Sequence, residues 1–303
     1  MPRRDELVVI EVALNGVADQ ARFPQVPKTP AEIAAEMLRC LDAGASICHQ
    51  HDAIGENGTW RDMERLSAET YRTVLAQRPD AILYPTGAWA DTIAERWGHH
   101  EGLAEAGLIR TAFVDPGSTN LGVLDADGVP APLELVYAHS YADIRWLFDT
   151  CQRLRLAPNI SIFEPGFLQA ALAYERAGRM PEGAYVRFYF GGGEYLASRP
   201  GPFSHGMPPL PECLAAYLAM LDHSDSRLPW FTAVLGGDAV SSGMARAALE
   251  GGGHVRVGLE DAAGARSESN VELVEEVVKL AEDVGRRVAT PSETAKLFGF
   301  PRT

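Results

Sequence analysis

The sequence predicts an α/β fold, a (β/α)8 or TIM barrel that occupies residues 1–303 as a single domain. Short apolar runs rich in β-branched residues alternate with amphipathic stretches along the whole chain. The alternation occurs eight times with a period of roughly 35 residues, which is typical of a strand-helix barrel. Because no linker, low-complexity tract or block of charge interrupts it, we expect one domain.

Each half of the repeat has its own signature. Apolar runs of strand length predict strands at 7–15, 46–52, 81–87, 108–116, 157–164, 185–191, 228–235 and 253–260. Amphipathic spacing predicts helices at 30–43, 62–77, 91–106, 138–154, 166–177, 210–222, 240–250 and 269–287. The segments Thr29–Glu32 and Thr290–Glu293 have the form of a capping box and mark helix starts. The connections 117–137 and 192–209 are longer than about 12–15 residues, a length typical of functional loops.

The composition excludes several functions. The chain has 303 residues, 46% of them hydrophobic, and 27 basic against 41 acidic residues give a formal charge of −14. This balance argues against nucleic acid and anionic membrane surfaces as partners, because both require a basic face. The chain lacks the apolar run of a secretory signal or a membrane span. Four cysteines without a Cys-x-x-Cys pair are typical of reduced thiols, so we expect a cytoplasmic protein.

A pair of histidines follows the second predicted strand. His49 and His51 are separated by one residue, and alternate residues of a strand point to the same face. Two imidazoles at a barrel rim form a ready pair of metal ligands, and zinc accepts imidazole well. The alternative is a pair of histidines hydrogen-bonded within a rim cluster.

Charged residues also occupy the last predicted strand, 253–260. Its alternation places His254, Arg256 and Glu260 on one face, with Asp261 just beyond the strand. An arginine and carboxylates inside an apolar barrel need partners or a ligand. This strand therefore indicates either a functional site or an ion pair that only closes the barrel rim.

The two motifs together suggest a catalytic metal centre. Because all strands converge on the barrel axis, Glu260 could join His49 and His51 around one ion. Two histidines and a carboxylate with an open position form a catalytic zinc arrangement. Arg256 beside Asp261 would keep that carboxylate ionised and oriented as a base.

Three further candidates end predicted strands and could bind a substrate: Thr86, Asp115 and Glu164. In a barrel of this type the loops after the strands build the active face. Each of the three lies in a segment rich in proline and glycine, and such segments also build ordinary turns.

Several motifs together identify a family. They are Ala13-Leu14-Asn15-Gly16, His49-Gln50-His51, Thr86-Gly87, Gly117-Ser118-Thr119-Asn120, Phe163-Glu164-Pro165-Gly166, the segment Gly253–Asp261, and the tail segments Ser269–Val274 and Arg287–Pro291. With these motifs the chain resembles, nearly end to end, the β-keto acid cleavage enzymes, which are zinc-dependent (β/α)8 proteins. The motif of the eighth strand is the most specific of the set.

The resemblance implies an acyl-transfer reaction in which a β-keto acid and acetyl-CoA give acetoacetate and a new acyl-CoA. It implies one Zn²⁺ per chain, bound by His49, His51 and Glu260. It also implies that Asp261 is the catalytic base and that Arg256 is its activating partner. The partners would be small molecules, and the protein would be a homo-oligomer, either a dimer or a tetramer.

Departures from the family pattern concern the groups that hold the substrate. Ala53 stands where the family usually has an arginine, Pro85 where it has a serine or threonine, and Ser161 where it has a glutamate. Four acidic residues lie near predicted strand ends: Asp19, Asp52, Asp115 and Glu164. A second substrate carboxylate would meet like charge there, so we expect neutral or cationic β-keto acids to be preferred over diacids. The alternative is that these acids only cap helices.

Other functions remain as alternatives. Barrels that hydrolyse amides with a His-x-His pair carry it on the first strand and need histidines after strands five and six, which this chain lacks. A different metal-dependent C–C lyase or hydrolase stays open, as does a non-catalytic metabolite-binding barrel with a structural zinc. A structural zinc usually has four protein ligands, whereas three are apparent here.

Overall fold

A computed structural model of the chain describes residues 7–54, 58–132, 136–193, 195–196, 199–200, 206–262 and 265–301. The strands within them are β1 (Ile10–Ala13), β2 (Ile47–Gln50), β3 (Ile82–Pro85), β4 (Thr111–Val114), β5 (Thr119–Asn120), β6 (Val136–Tyr137), β7 (Ala157–Ile162), β8 (Tyr185–Gly191), β9 (Tyr195–Leu196), β10 (Arg199–Pro200), β11 (Trp230–Leu235) and β12 (His254–Val257). The helices are α1 (Pro30–Ala43), α2 (Trp60–Leu75), α3 (Ile93–Glu105), α4 (Tyr141–Leu154), α5 (Pro165–Arg176), α6 (Pro211–His223), α7 (Met244–Glu250), α8 (Leu259–Ala262), α9 (Asn270–Asp283) and α10 (Pro291–Leu297). Among these helices, none has both the length and the apolar composition needed to span a bilayer.

Eight strands form a parallel barrel. They hydrogen-bond in the order β3-β2-β1-β12-β11-β8-β7-β4, with every ladder parallel. The two ends of this order, β3 and β4, contact each other, so the sheet is nearly closed. A helix follows each barrel strand along the chain. The predicted TIM barrel is therefore confirmed.

The predicted elements recur with shifted ends. Each predicted strand contains a barrel strand, and the capping boxes at Thr29 and Thr290 are both formed. The predicted long loop 117–137 contains the antiparallel hairpin of β5 and β6, and its residues 133–135 lie outside the described residues. The predicted loop 192–209 contains β9 and β10, and its residues 194, 197–198 and 201–205 lie outside the described residues.

The last strand ends earlier than predicted, and this corrects the geometry at the barrel mouth. The prediction extended it to Glu260, but β12 ends at Val257, and Glu260 and Asp261 belong to the short helix α8. Gly258 causes the break: its φ is +139°, and a Cβ there would lie 2.1 Å from the carbonyl oxygen of Ala13. Glu260 therefore reaches the mouth on a turn and not through the alternation of a strand.

The lower end of the barrel is closed by an apolar layer. Inward-facing side chains of the first residues of the strands pack together there, and the C-terminal segment covers them: Val9, Ile47, Ile82, Ala157, Tyr185, Phe231, Phe298 and Phe300. His254 belongs to this layer, and its ring lies 5.1 Å from those of Phe231 and Phe298. A second and larger core lies between the outer face of the barrel and the helices. The mouth at the carboxyl ends of the strands is thus the open end of the barrel.

Candidate active site

Two imidazoles and one carboxylate meet at the mouth of the barrel. His49 lies in β2 and His51 just beyond it, and their Nε2 atoms lie 3.2 and 3.4 Å from the two carboxylate oxygens of Glu260. The three donor atoms all lie within 4.8 Å of one another. The structure therefore brings together the three residues that the sequence predicted as metal ligands.

Local backbone geometry makes room for Glu260. Gly16 follows β1 with a φ of +48°, and a Cβ there would lie 2.6 Å from the Cγ atom of Glu260. The turn at Gly258 directs the chain across the end of β1, so that Glu260 lies over the mouth. Any larger side chain at either glycine would displace the carboxylate from the imidazoles.

The donor set fits a divalent metal ion. Burial lowers the pKa of His49 to about 4, although the Glu260 carboxylate opposes the shift, so its imidazole is neutral near pH 7 and offers a lone pair. The Oε2 atom of Glu260 is buried and lies 3.2 Å from Nε2 of His49, so a carboxylate oxygen and an imidazole nitrogen both face the position that an ion would occupy. Two imidazole nitrogens and one carboxylate oxygen are ligands that zinc and related cations accept.

The ligand side chains are held by a second set of contacts. The ring of His49 stacks on Tyr84 with centroids 4.5 Å apart, and its Nδ1 atom lies 3.3 Å from the Tyr84 carbonyl oxygen. The side chain of Asn15 accepts a hydrogen bond from the His51 amide at 2.8 Å and donates one to the His51 carbonyl at 2.9 Å. Asn270 accepts a hydrogen bond from the amide of Leu259, at the start of α8. Such outer contacts fix the orientation of metal ligands.

A buried ion pair lies beside the three donor residues. The guanidinium of Arg256 donates from Nε and Nη2 to the two carboxylate oxygens of Asp261, each at 2.9 Å. Its Nη2 also donates to Glu260 at 2.8 Å. Burial raises the pKa of the Asp261 carboxyl, against the opposing effect of Arg256. A carboxylate of raised pKa that is held in a fixed orientation is suited to act as a base.

Electrostatics distinguish the two neighbouring carboxylates. Burial would raise the pKa of Glu260 as well, but Arg256 and the two imidazoles outweigh it and hold that pKa well below its usual range. Glu260 is therefore an anion suited to a ligand, whereas Asp261 is the better proton acceptor.

A layer of buried polar side chains, which the sequence patterns did not predict, lies between this site and the apolar lower layer. Glu11 accepts from Arg187 at 2.6 Å and from Arg256 at 3.3 Å, and the Tyr84 hydroxyl donates to it at 2.5 Å. Arg187 also donates to Asn159 at 2.6 Å. The only signal in the sequence was a single charge within each of two apolar strands, at Glu11 and Arg187.

The predicted substrate-binding residues lie at the rim in different surroundings. Thr86 is half-buried just after β3. Asp115 is 3% exposed; the Tyr137 hydroxyl donates to its Oδ2 atom, and its Oδ1 atom has no partner among the described residues. Glu164 accepts hydrogen bonds from the Gly206 amide at 3.1 Å and from Thr119 at 3.5 Å. The role of these three residues in binding a substrate stays a prediction.

Four acidic residues were expected to determine which substrate charge is preferred, and two of them make local hydrogen bonds instead. Asp52 accepts hydrogen bonds from Gln50 at 2.9 Å and from Ser67 of α2 at 2.5 Å. Asp19 is exposed and accepts a hydrogen bond from the amide of Ala21. Both carboxylates therefore serve local structure, and of the four acidic residues Asp115 and Glu164 stay candidates for contact with a substrate.

Comparisons with known proteins identify the family of the chain. A family model described as beta-keto acid cleavage enzyme matches residues 7–300. The 3-keto-5-aminohexanoate cleavage enzyme of Fusobacterium nucleatum is 27% identical, over 98% of this chain and 99% of that protein. The 3-oxoadipate:acetyl-CoA acetyltransferase of Cupriavidus necator is also 27% identical, over 97% of this chain and 95% of that protein.

A solved structure shares the fold. The complex of ObcA with oxaloacetate has a TM-score of 0.66 and 17% identity, and the match covers 92% of this chain and 68% of that one. The family model extends over nearly the whole chain, and the histidine pair and the Glu260–Asp261 turn lie within it. The chain therefore belongs to the β-keto acid cleavage enzyme family.

Proposed function

We propose that the protein transfers the acyl group of a β-keto acid to coenzyme A, using acetyl-CoA and a bound zinc ion. The observation that carries the proposal is the adjacency of an Arg256–Asp261 pair to a His49, His51 and Glu260 donor set at the mouth of the barrel. This chemistry needs a base and a metal site close together, and here Arg256 bonds to both Asp261 and Glu260.

The reaction is balanced in atoms and charge. In R–CO–CH2–COO⁻ the bond between C2 and C3 breaks, and so does the bond between carbon and sulfur of acetyl-CoA. A new carbon–carbon bond joins the acetyl group to the CH2–COO⁻ fragment and gives acetoacetate, while R–CO becomes attached to sulfur. No oxidant or reductant is required.

Side chains of the site would divide the work. His49, His51 and Glu260 would hold the zinc ion, which when bound supplies a Lewis acid for the keto oxygen. Asp261 would take a proton from C2 of the β-keto acid, and that carbon would attack the thioester carbonyl and displace the CoA thiolate. The thiolate would then add to the C3 ketone, the C2–C3 bond would break, and C2 would recover a proton. Arg256 would hold Asp261 in place and stabilise its ionised form between turnovers.

We further propose that the preferred β-keto acids have a neutral or cationic distal end. The support is the buried carboxyl of Asp115, which lies at the end of β4 with an unpartnered oxygen among the described atoms. The Tyr137 hydroxyl donates to this carboxyl, and the ring of Tyr137 lies near that of Phe163, with centroids 5.8 Å apart. The guanidinium of Arg96 already donates to two backbone carbonyl oxygens, so those hydrogen bonds are not available to a substrate carboxylate. A second substrate carboxylate would meet like charge here, whereas aromatic rings accept apolar and cationic groups.

This charge preference can be measured as the ratio of kcat/KM values for an amino-bearing, a neutral and a dicarboxylic β-keto acid. We expect the diacid to be the poorest of the three by about tenfold or more, which corresponds to about 1.4 kcal/mol. The variant Asp115→Asn should reduce the advantage of the amino-bearing acid over the neutral one. A wild-type preference for the diacid would overturn the argument.

The proposed reaction is tested by incubating the zinc-loaded protein with acetyl-CoA and a panel of β-keto acids and measuring acetoacetate and acyl-CoA. Both products should appear in equal amounts for at least one acid. Cleavage without consumption of acetyl-CoA would favour a C–C lyase or hydrolase. Binding of an acid without any product would favour a non-catalytic barrel with a structural zinc.

We also propose that the protein works in the cytoplasm as a homo-oligomer with small molecules as its partners. The support is the family resemblance and the four cysteines without a Cys-x-x-Cys pair. Light scattering of the purified protein should give the mass of a dimer or a tetramer, and the mass of a monomer would contradict the proposal.

A further inference from the structure

The polar layer beneath the site contains a second buried ion pair. Glu11 and Arg187 are at most 1% exposed, and the Oε2 atom of Glu11 lies 2.6 Å from Nη2 of Arg187. Neither residue belongs to the metal donor set or bonds to Asp261 within the described part of the chain. A buried ion pair contributes little net stability compared with well-packed apolar residues, so its presence calls for another role.

Contacts of Glu11 with Arg256 suggest that role. In the ladder between β1 and β12, Glu11 lies directly opposite Arg256. The Nε and Nη2 atoms of Arg256 are committed to Asp261, and Nη2 also bonds to Glu260. The remaining nitrogen, Nη1, donates to Glu11 at 3.3 Å and to the Tyr84 hydroxyl at 3.5 Å. Glu11 thus anchors the edge of the guanidinium that faces away from the catalytic carboxylate.

Arg187 in turn fixes Glu11. Its Nη2 atom donates to Glu11, to the Tyr84 hydroxyl at 3.0 Å and to Asn159, and Nη1 donates to the Tyr189 hydroxyl at 2.9 Å. The two guanidiniums therefore lie on either side of the Tyr84 hydroxyl with the Glu11 carboxylate in contact with both. Without that carboxylate, two buried cations would repel each other across one hydroxyl group.

Tyr84 extends the layer to the metal side of the site. Its hydroxyl donates to Glu11, and its ring stacks on the imidazole of His49. The layer therefore borders a metal ligand as well as Arg256, and a glutamine at position 11 would still offer an acceptor oxygen to the Tyr84 hydroxyl.

We propose that Glu11 and Arg187 are positioning residues that hold Arg256, and through it Asp261, in the orientation required for proton abstraction. The inference rests on the proposed function, because it assigns these residues to that reaction. Neither residue touches the reacting atoms; each acts through the guanidinium of Arg256.

The primary variant is Glu11→Gln, which keeps the shape of the side chain and removes its charge. We expect kcat to fall about 10- to 100-fold, while the KM for acetyl-CoA and the metal content stay within about twofold of the wild type. The matched control is Phe231→Leu, which alters an apolar side chain of the lower layer directly opposite Arg187 in the ladder between β8 and β11 and changes no charge. It should lower the thermal midpoint and leave kcat unchanged.

A second readout does not depend on turnover. In protein labelled with ¹⁵N at arginine, the Nε–H group of Arg256 should exchange slowly with solvent because it is bonded to Asp261. Glu11→Gln should accelerate this exchange at least about tenfold, and Phe231→Leu should not. If Glu11→Gln fails to fold, the double variant Glu11→Gln, Arg187→Gln removes the uncompensated cation and should fold with the same loss of kcat.

The outcomes separate this inference from the proposed reaction. Wild-type kcat and wild-type exchange of Arg256 in Glu11→Gln would overturn the positioning role, as would an equal loss of kcat in Phe231→Leu. A wild-type protein that cleaves no β-keto acid would refute the reaction, whereas the exchange measurement would still decide whether Glu11 orders Arg256.

Discussion

The lower and middle layers of this barrel use the same strands for opposite purposes. On β8, inward-facing Tyr185 belongs to the apolar lower layer, and two residues further along Arg187 belongs to the polar one. The step from His254 to Arg256 on β12 has the same character. One step of about 7 Å along a strand thus leads from packing that stabilises the fold to charges that orient one another.

The two layers differ in what their side chains contribute to the free energy of unfolding. Apolar burial in the lower layer contributes stability directly, roughly in proportion to the area removed from water. Charges in the middle layer lose their hydration on burial, and only their mutual contacts offset the free-energy cost. They therefore add little to stability. Changes in the two layers should therefore have separable effects, on unfolding in one case and on turnover in the other.

The largest effect is expected at Asp261, in the polar part of the barrel. Replacement by asparagine removes the proposed base while preserving size, and loss of a positioned base typically lowers the rate about 10²–10⁴-fold. Zinc content should stay at one ion per chain, because Asp261 is not among the donor residues. Steady-state kinetics with metal analysis measures both, and unchanged acetoacetate formation would refute the assigned role.

An effect of comparable size, but on stability, is expected in the apolar layer. Phe231→Ala removes a fully buried ring that packs against Tyr185, His254 and Phe298, and such a change lowers the free energy of unfolding by about 3–5 kcal/mol. Urea denaturation gives the loss, and kcat of the folded fraction should stay at the wild-type value. A large fall in that kcat would show that the two layers are not separable.

The affinity for a metal ion should depend on the histidines at the mouth of the barrel and not on the histidine of the lower layer. His49→Ala or His51→Ala should weaken zinc affinity by at least about 100-fold, because even outer contacts to metal ligands are worth about 10–100-fold. The control is His254→Asn in the lower layer, which should retain the metal. Titration with a zinc-competing chelator measures the affinity; stoichiometric zinc in a protein lacking both His49 and His51 would sink the ligand assignment.

The smallest expected effect concerns the pH dependence of stability in the lower layer. Burial, with a contribution from the Arg286 guanidinium, lowers the pKa of His254 from 6.5 to about 3. The unfolded chain therefore binds this proton more readily than the folded one. Above pH 6.5 His254 is neutral in both states and does not reduce the free energy of unfolding. As the pH falls from 6.5 toward 3, the unfolded chain gains the proton first and the free energy of unfolding decreases, by about 2 kcal/mol at pH 5.

The variant His254→Asn tests this loss. Asparagine keeps an acceptor for the amide of Val9, which bonds to the Nδ1 atom of His254 at 3.1 Å, and it does not titrate. The fall in unfolding free energy between pH 7 and pH 5 should therefore be about 2 kcal/mol smaller in the variant than in the wild type. Identical pH dependence in the two proteins would show that His254 does not remain neutral in the fold.

The fold was predictable because its signal is periodic. Eight apolar runs and their intervening helices recur along the chain, and the capping boxes at Thr29 and Thr290 gave helix starts correctly. The meeting of His49, His51 and Glu260 was predictable because alternation in β2 and a specific motif pointed to the same rim. These are local patterns, which a sequence states directly.

Two features were not predicted from the sequence because they depend on contacts between distant segments. The end of β12 was misplaced because the close approach of Gly258 to Ala13 of β1 is a tertiary contact, and residue alternation alone continues through it. The polar layer was missed because Glu11 and Arg187 are 176 positions apart, and each alone is only one charge in an apolar strand. Only the closed barrel shows that they neutralise each other.

The central claim is tested most directly by tracing the carbon atoms of acetyl-CoA. With acetyl-CoA carrying ¹³C in its methyl group and an unlabelled β-keto acid, carbon NMR should show acetoacetate labelled at C4 alone, together with an unlabelled acyl-CoA. Asp261→Asn should form neither product at a comparable rate. Labelled acetate, or acetoacetate without label at C4, would contradict the account, because the acetyl group would then not have been joined to the CH2–COO⁻ fragment of the substrate.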